Sequence, residues 1–246
     1  MNVSRTQHQV EMERNRVVWQ RKPLLREIYA GFYRRIVSRI DPAVPGCVVE
    51  IGSGIGSLKT HLPSAIGTDL FPNPCLDLVC DAYELPFREA TVSHLILFDV
   101  FHHLRAPNAF LREARRVLVR GGRLILLEPY LSWCSRPVYA LLHREPVAWR
   151  APIDAAQDCP RPRDYYAAQG NATRLFFRRE TPGWPAGWTV IHAEAFASFS
   201  YLLSGGFSRP AVYPAAFLPL LERVDAGLSC WSRSFGARCL VALQPK

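Results

Sequence analysis

The chain has 246 residues, 49% of them hydrophobic, and a formal net charge of +9 at neutral pH. This length suits one domain with insertions, or one domain with a small appendage, better than two full domains. The sequence holds no apolar run long enough to span a bilayer, and its first residues lack the apolar core of a signal peptide. We therefore expect a cytoplasmic protein.

The cysteines and the basic residues bear on the class of protein and on its partners. The seven cysteines are scattered and form no C-x-x-C pair, which argues against a disulfide framework and against a metal site. Arginine carries nearly all of the positive charge, since the only lysines are Lys22, Lys59 and Lys246. A nucleic-acid surface, attraction to anionic surfaces and a GC-rich genome all remain open. We favour the last and do not expect a nucleic-acid partner.

Residues 1–42 are predicted to form a helical cap. Pro23 suits the first turn of a helix, and apolar residues follow it at helical spacing with arginines between them: Leu25, Ile28, Phe32, Ile36 and Ile40. Such a basic amphipathic helix either packs on the domain or rests on the inner face of a membrane. We expect packing, with peripheral membrane contact as the alternative.

From Cys47 onward, strand-like runs alternate with helical ones in a second unit, residues 43–246. The runs "CVVEI", "SAIGTD", "LDLVCD", "VSHLILFD" and "GRLILLEP" predict strands, and "APNAFLREARRVL" predicts a helix that ends before Gly121 and Gly122. Alternation of this kind predicts an α/β fold with a doubly wound, mostly parallel sheet. An irregular insertion is expected over 130–187, with a short helix near "NATRLFFRR", and a strand, a helix and a final strand over 188–246.

A cluster of glycines follows the first predicted strand. Gly52, Gly54 and Gly56 come directly after Ile51, and Asp69 ends the next strand. Glycines at the carboxyl end of a parallel strand let backbone amides approach a ligand, and an acid on the next strand suits the two hydroxyls of a ribose. Glu50 lies just before the glycines, where it would repel a pyrophosphate and attract an ammonium or sulfonium group. The pattern favours S-adenosylmethionine over a nicotinamide dinucleotide.

Four stretches together resemble the class I S-adenosylmethionine-dependent methyltransferases. They are "VVEIGSGIG", "GTDL", "CDAYELPF" and "FDVFHHLRAPNAFLREARRVLVRGGRLILLEP", which cover about residues 47–129 in the family's order. The chain is most similar to the small-molecule branch, the type 11 methyltransferase domains that include the ubiquinone and menaquinone methylases. The resemblance implies a Rossmann-like sheet of seven strands with an antiparallel last strand.

The resemblance also implies roles for individual residues. The methionine part of the cofactor would be surrounded by Glu50, Gly52, Ser53, Gly54 and Gly56. The ribose and adenine would be held by Asp69, Leu70, Asp81 and Ala82. The transferred methyl would lie near Phe98 and Asp99. Two departures from the family pattern are the short "SLKTHLP" segment after Gly56 and Arg120 in place of a proline.

Methyl transfer needs alignment and, for some acceptors, a base. His103 and His102 follow the fourth strand at the correct end of the sheet and are the candidate bases, although either could instead brace the loop. Aromatic residues and the arginines Arg136, Arg144, Arg174 and Arg209 suit an acceptor with an anionic group.

We expect transfer, first of all to oxygen, on a small-molecule, glycan or lipid-linked acceptor. The alternatives are an inactive cofactor-binding scaffold and an RNA methyltransferase. The apolar segment around 199–221 is a second candidate for membrane contact.

Overall fold

The computed structural model describes residues 5–141, 146–153 and 167–246. Seven α-helices occur in these ranges: α1 Arg5–Arg21, α2 Pro23–Val37, α3 Pro107–Val117, α4 Ser135–Leu141, α5 Phe199–Ser204, α6 Leu218–Leu228 and α7 Ser232–Phe235. The strands are β1 Cys47–Ile51, β2 Ile66–Asp69, β3 Leu78–Val79, β4 Val92–Phe98, β5 Leu118–Pro129, β6 Trp188–Ala197 and β7 Gly236–Pro245. The predicted alternation of strands and helices is confirmed.

All seven strands form one sheet in the order β3-β2-β1-β4-β5-β7-β6. The first five strands pair in parallel, whereas β7 runs antiparallel to both of its neighbours, β5 and β6. This is the predicted Rossmann-like sheet with an antiparallel last strand. Because β1, β2, β4 and β5 are parallel, their carboxyl ends meet at the same edge of the sheet, where ligands bind in folds of this type.

The core lies on both faces of the sheet, and alternate residues of β4 divide between the two. Leu95 and Leu97 belong to the cluster that includes Phe110 of α3. Ile96 belongs to the opposite cluster, with Phe32 of α2. Every residue of β4 is buried, as expected of a central strand covered by helices on both faces.

The described part of the predicted cap contains two helices, α1 and α2. Pro23 occupies the first turn of α2, as predicted, and the apolar face of that helix is buried against the sheet. By contrast, α1 is strongly polar. Within the described parts of the chain, no helix is both long and apolar enough to cross a membrane.

One local prediction needs correction, and another is confirmed. The predicted helix does end before the glycines, at Val117, but β5 begins at Leu118, earlier than the predicted start of this strand at Gly122. Gly121 and Gly122 lie where the pairing of β4 with β5 shifts register: Val92 pairs with Leu118, but His94 pairs with Arg123. The two glycines are therefore among the extra residues that β5 has at this bulge. The segment after Gly56 is a single 3₁₀ turn, Ser57–Thr60, which confirms the short first helix.

The insertion is described in part. It contains α4 and a short π-helical turn, Thr173–Phe177, at the predicted position. Arg144 lies outside the described residues, as do Tyr165 and Tyr166 of the aromatic insertion.

Candidate functional site

A cleft of about 340 Å³ opens at the carboxyl edge of the parallel strands. It brings together nearly all of the residues predicted for the cofactor and for catalysis. They are Glu50, Gly52, Ser53, Gly54, Asp69, Leu70, Asp81, Ala82, Phe98, Asp99, His102 and His103. Gly56 is not among the lining residues; it lies against Cys75, whose carbonyl oxygen would be 3.2 Å from an added Cβ.

The glycine loop turns sharply after β1. Gly52 has a φ of +72° and Gly54 a φ of +51°, which favour glycine. At Gly52, a Cβ atom would also lie 2.3 Å from Cγ2 of Val100. The loop is held by Ser53, whose N–H donates to the Thr68 carbonyl at 2.8 Å. The glycines therefore allow the chain to pass close to the loop after β4.

Asp69, at the end of β2, braces that loop. Its Oδ2 accepts the N–H of Gly54 at 3.0 Å, and its Oδ1 accepts the N–H of Leu70 at 2.7 Å. Burial raises the pKa of Asp69, while nearby His8 and the two amides act in the opposite direction. Asp69, the residue predicted to hold the ribose, thus also connects the ends of β1 and β2.

Glu50, at the carboxyl end of β1, is buried in the cleft wall. Burial raises its pKa to about 7, with a further upward contribution from Asp69, although the side chains of Ser53 and Lys59 oppose the shift. Ser53 and Lys59 do not offset the cost of burying the charged form of Glu50. A cation placed next to this carboxylate therefore stabilises it. Asp81, predicted to lie at the adenine, also lines the cleft, and its Oδ1 accepts the N–H of Tyr83 at 2.9 Å.

Glu128, at the end of β5, organises the loop that carries the two histidines. Its Oε1 accepts the N–H groups of Val100 at 3.0 Å and Phe101 at 2.7 Å. Its Oε2 accepts the N–H of His102 at 3.2 Å and the Nδ1–H of the same residue at 2.5 Å. His103 lines the cleft beside it, with ring centroids 4.0 Å apart. His102 is thus fixed in orientation by Glu128.

Sequence reasoning missed Glu128, although the acid at the end of "GRLILLEP" was a usable signal. It also missed Arg238 on β7, a fully buried arginine whose Nη2 lies 2.7 Å from Oδ1 of Asp99. Asp99 itself has a φ of +57°, and burial raises its pKa despite the Arg238 charge. Asp99, His102 and Glu128 have atoms that could bind a metal ion within 4.8 Å of one another. However, backbone amides and the His102 imidazole already contact Glu128, and the Arg238 guanidinium contacts Asp99.

Helix α1 covers the end of the cleft that the glycine loop forms, which its sequence did not indicate because it carries no motif. His8 packs on Phe71 with ring centroids 5.1 Å apart. The sulfur of Met12 lies 3.7 Å from the position of a Cβ at Gly54. Five residues of α1 line the cleft: His8, Glu11, Met12, Arg14 and Asn15.

The sheet order, the glycine loop and the acids at the strand ends define the class I S-adenosylmethionine-dependent methyltransferase fold. Residues 49–126 match the family model described as "Methyltransferase domain". The chain therefore has the class I methyltransferase fold, and its match to this family model runs from β1 to β5. Among curated proteins, none matches the sequence significantly.

Solved structures show the same fold at low sequence identity. A chain of the complex between the Haloferax volcanii Trm112 methyltransferase activator and a candidate methyltransferase is 19% identical, with a TM-score of 0.55 over 99% of this chain and 98% of that one. A SAM-dependent methyltransferase from Thermotoga maritima is 16% identical, with a TM-score of 0.52 over 94% and 97%. The [4+2]-cyclase SpnF is 12% identical, with a TM-score of 0.50 over 87% and 80%. Identities this low bear on the fold alone.

Proposed function

We propose that this protein binds S-adenosylmethionine in the cleft and methylates an oxygen of a small-molecule acceptor. S-adenosylmethionine is the methyl donor of the methyltransferase domain. The observation that carries the proposal is the arrangement of Glu50, the glycine loop and Asp69 in one cleft at the carboxyl ends of β1 and β2. Glu50 is an anion for the positive end of the donor, the glycine loop leaves space next to the backbone, and Asp69 is an acceptor for the ribose hydroxyls.

The residues present fit that cofactor electrostatically. The Glu50 carboxylate is buried and its pKa is raised, so a cationic group beside it relieves an existing cost. Asp69 lies within the same wall, and the Gly54 N–H already points at it. We therefore assign Glu50 and the glycine loop to the methionine part, Asp69 with Leu70 to the ribose, and Asp81 with Ala82 to the adenine. The bound cofactor supplies an electrophilic methyl group on a sulfonium.

The acceptor half of the cleft supports a small and largely apolar substrate. Its walls include Tyr29, Tyr139, Tyr201, Phe207 and Trp149. With α1 over the cofactor end, this geometry suits a small molecule better than a folded RNA, which needs a broad and open surface. Within the wall, His103 is the first candidate base for an acceptor hydroxyl, because it is more exposed than His102, which is buried.

Membrane contact is a separate proposal. The apolar face of α2 is buried, so that helix offers no apolar surface to a lipid. The segment around 199–221, however, exposes Leu203, Val212, Phe217 and Leu220. We expect co-sedimentation with anionic liposomes at low salt if this patch binds lipid. Protein that stays in the supernatant under those conditions rules out this contact and leaves a cytoplasmic location as the working proposal.

Calorimetric titration with S-adenosylhomocysteine tests the proposed function. We expect micromolar binding by the wild-type protein and a loss of at least about tenfold in affinity for Asp69→Ala, because two ribose hydrogen bonds and the loop brace are removed together. The control is Glu222→Ala, which removes an exposed carboxylate on α6. A well-folded wild-type protein that does not bind S-adenosylhomocysteine would disprove the cofactor assignment and favour a scaffold role.

A further inference from the structure

Helix α1 lies along the cleft and is anchored at its carboxyl end. The Trp19 ring packs on Tyr29, with ring centroids 5.5 Å apart, and on Phe207, with ring centroids 6.2 Å apart. Nη1 of Arg26 donates to the carbonyl oxygens of Trp19 at 2.6 Å and Gln20 at 2.9 Å. The helix is strongly polar, so burial of an apolar face does not account for its position over the glycine loop.

The axis of α1 runs from the ribose end of the cleft toward the methionine end. Near its start, His8 packs on Phe71, next to the end of β2 that is assigned to the ribose. One turn further on, the sulfur of Met12 lies against Gly54 of the glycine loop. Arg14 lines the cleft beyond Met12. At the rise of an α-helix, Arg14 is about 9 Å further along the axis than His8. Arg14 therefore lies toward the part of the cleft that is assigned to methionine.

The methionine part of the donor carries a carboxylate, and a carboxylate in a cleft requires a cationic partner. Among the described residues that line the cleft, the arginines are Arg14 and Arg238, and there is no lysine. Arg238 is 1% exposed, and its Nη2 lies 2.7 Å from Oδ1 of Asp99. The charge of Arg238 is therefore already neutralised within the protein, which leaves Arg14 as the arginine that a ligand carboxylate can reach.

Arg14 is accessible to such a ligand. Its side chain is 40% exposed, and its Nη2 lies 3.6 Å from Oε1 of Glu11, which is too far for a hydrogen bond. An ion pair this loose and this exposed contributes little to stability, so a ligand carboxylate can replace Glu11 beside Arg14 at small cost. The guanidinium can then make the two parallel N–H···O bonds that it offers to a carboxylate.

We propose that Arg14 binds the carboxylate of the methionine part of the donor, which makes α1 a wall of the cofactor site. The inference rests on the proposed function and adds a cofactor-binding residue outside the segment that matches the family model, residues 49–126. It divides the methionine part between two charges of the protein. Glu50 attracts the cationic group from the end of β1, and Arg14 attracts the carboxylate from α1.

S-adenosylhomocysteine and its decarboxylated analogue, which keeps the ammonium group, test the inference by calorimetric titration. We expect the wild-type protein to prefer S-adenosylhomocysteine by at least about tenfold, because charge-assisted hydrogen bonds are lost with the carboxylate. Arg14→Gln is expected to remove most of this preference. Its affinity for S-adenosylhomocysteine should fall by at least about tenfold, whereas its affinity for the analogue should stay within about twofold. Arg14→Lys should keep part of the preference, because an ammonium cannot make both bonds.

Arg16→Gln is the matched control. Arg16 lies on the same helix and also follows a glutamate by three residues, with Nη2 3.1 Å from Oε1 of Glu13, but it is not among the described residues that line the cleft. Both affinities of this variant should therefore equal those of the wild type. Glutamine forms helices about as well as arginine, so circular dichroism should show a folded protein for each variant.

Two outcomes overturn the inference. One is equal affinity of the wild-type protein for the two ligands. The other is an equal loss of both affinities in Arg14→Gln, which would mean that Arg14 only holds α1 in place. A well-folded wild-type protein that does not bind S-adenosylhomocysteine contradicts the proposed function itself, and the inference then fails with it.

Discussion

Nδ1 of His102 lies 2.5 Å from Oε2 of Glu128, although 26 residues separate the two in sequence. The same carboxylate accepts three consecutive backbone N–H groups, from Val100 to His102. One buried side chain at the end of β5 therefore fixes the loop that follows β4. The loop carries the histidines and lies next to Asp99, so Glu128 acts as a positioning residue for that end of the cleft.

Replacement of this carboxylate is expected to destabilise the protein strongly. Glu128→Gln places an amide N–H₂ where an acceptor is required and leaves buried donors unpaired. We expect the free energy of unfolding to fall by about 2 to 4 kcal/mol. Urea denaturation followed by circular dichroism measures the change. Glu222→Gln is the control, and equal unfolding midpoints for the two variants would show that Glu128 does not hold the loop.

His103 is expected to act in catalysis more than in folding. For an acceptor hydroxyl, His103→Gln removes the candidate base, and we expect kcat to fall by about 100-fold. The affinity for S-adenosylhomocysteine should stay within about twofold, because the cofactor groups are untouched. Labelled S-adenosylmethionine and an acceptor found by screening provide the assay. His192→Gln, on β6 outside the cleft, is the control, and an unchanged kcat for His103→Gln would assign His103 a bracing role only.

Two glycines provide a matched pair. Gly52→Ala adds a Cβ that would lie 2.3 Å from the Val100 side chain, at a φ of +72°. We expect this variant to lose binding of S-adenosylhomocysteine and about 1 to 3 kcal/mol of unfolding free energy. Calorimetry and urea denaturation test the two effects separately.

Gly31→Ala is the control for that experiment. Gly31 lies inside α2, and the nearest atom to its added Cβ is Nη2 of Arg34 at 3.8 Å. Alanine is the better helix former, so we expect a gain of about 0.5 to 1 kcal/mol in stability. Similar losses in both variants would show that the close approach of the glycine loop to Val100 has no special importance.

Cofactor binding is expected to depend on pH through Glu50. Burial raises the pKa of Glu50 to about 7 in the free protein, and a bound cation lowers it again. Below about pH 7, binding must therefore release a proton, and affinity for S-adenosylhomocysteine should rise by up to about tenfold for each pH unit until it levels off. Titrations in buffers of different ionisation enthalpy measure the proton release. Glu50→Gln should bind weakly and without this dependence, and a wild-type affinity that falls with rising pH contradicts the assignment.

The raised pKa of Glu50 also predicts how the stability of the free protein depends on pH. The pKa of Glu50 is about 7 in the folded protein, against an ordinary value of 4.5 for the unfolded chain. Between these values, the folded state keeps a proton that the unfolded state loses. Stability is thus greatest below the lower value and falls, by up to about 3 kcal/mol, as pH rises through the upper one. We expect Glu50→Gln to be more stable than the wild type above about pH 8 and similar to it near about pH 4. Urea midpoints at both pH values test this, and a less stable variant at high pH disagrees with the shift.

The sequence by itself predicted the parallel half of the fold, and it predicted the residues of β1 and β2 that meet in the cleft. The first five strands, the glycine loop and Asp69 occur in order along residues 47–129, and each depends on local pattern: apolar runs, glycines and acids at strand ends. Parallel strands bring their carboxyl ends to one edge, so residues at those ends converge whatever the details of packing. Local pattern was insufficient for the start of β5, since pairing with β4 extends this strand back to Leu118.

Only the tertiary structure decided which residues complete the acceptor side. Arg238 follows Asp99 by more than half the length of the chain, and no motif connects them. They meet because β7 inserts between β5 and β6, which places the start of β7 beside the end of β5. Helix α1 reaches the glycine loop in the same way, through packing and not through sequence proximity. Contacts of this kind depend on strand order and helix docking, which are properties of the whole core and not of any short segment.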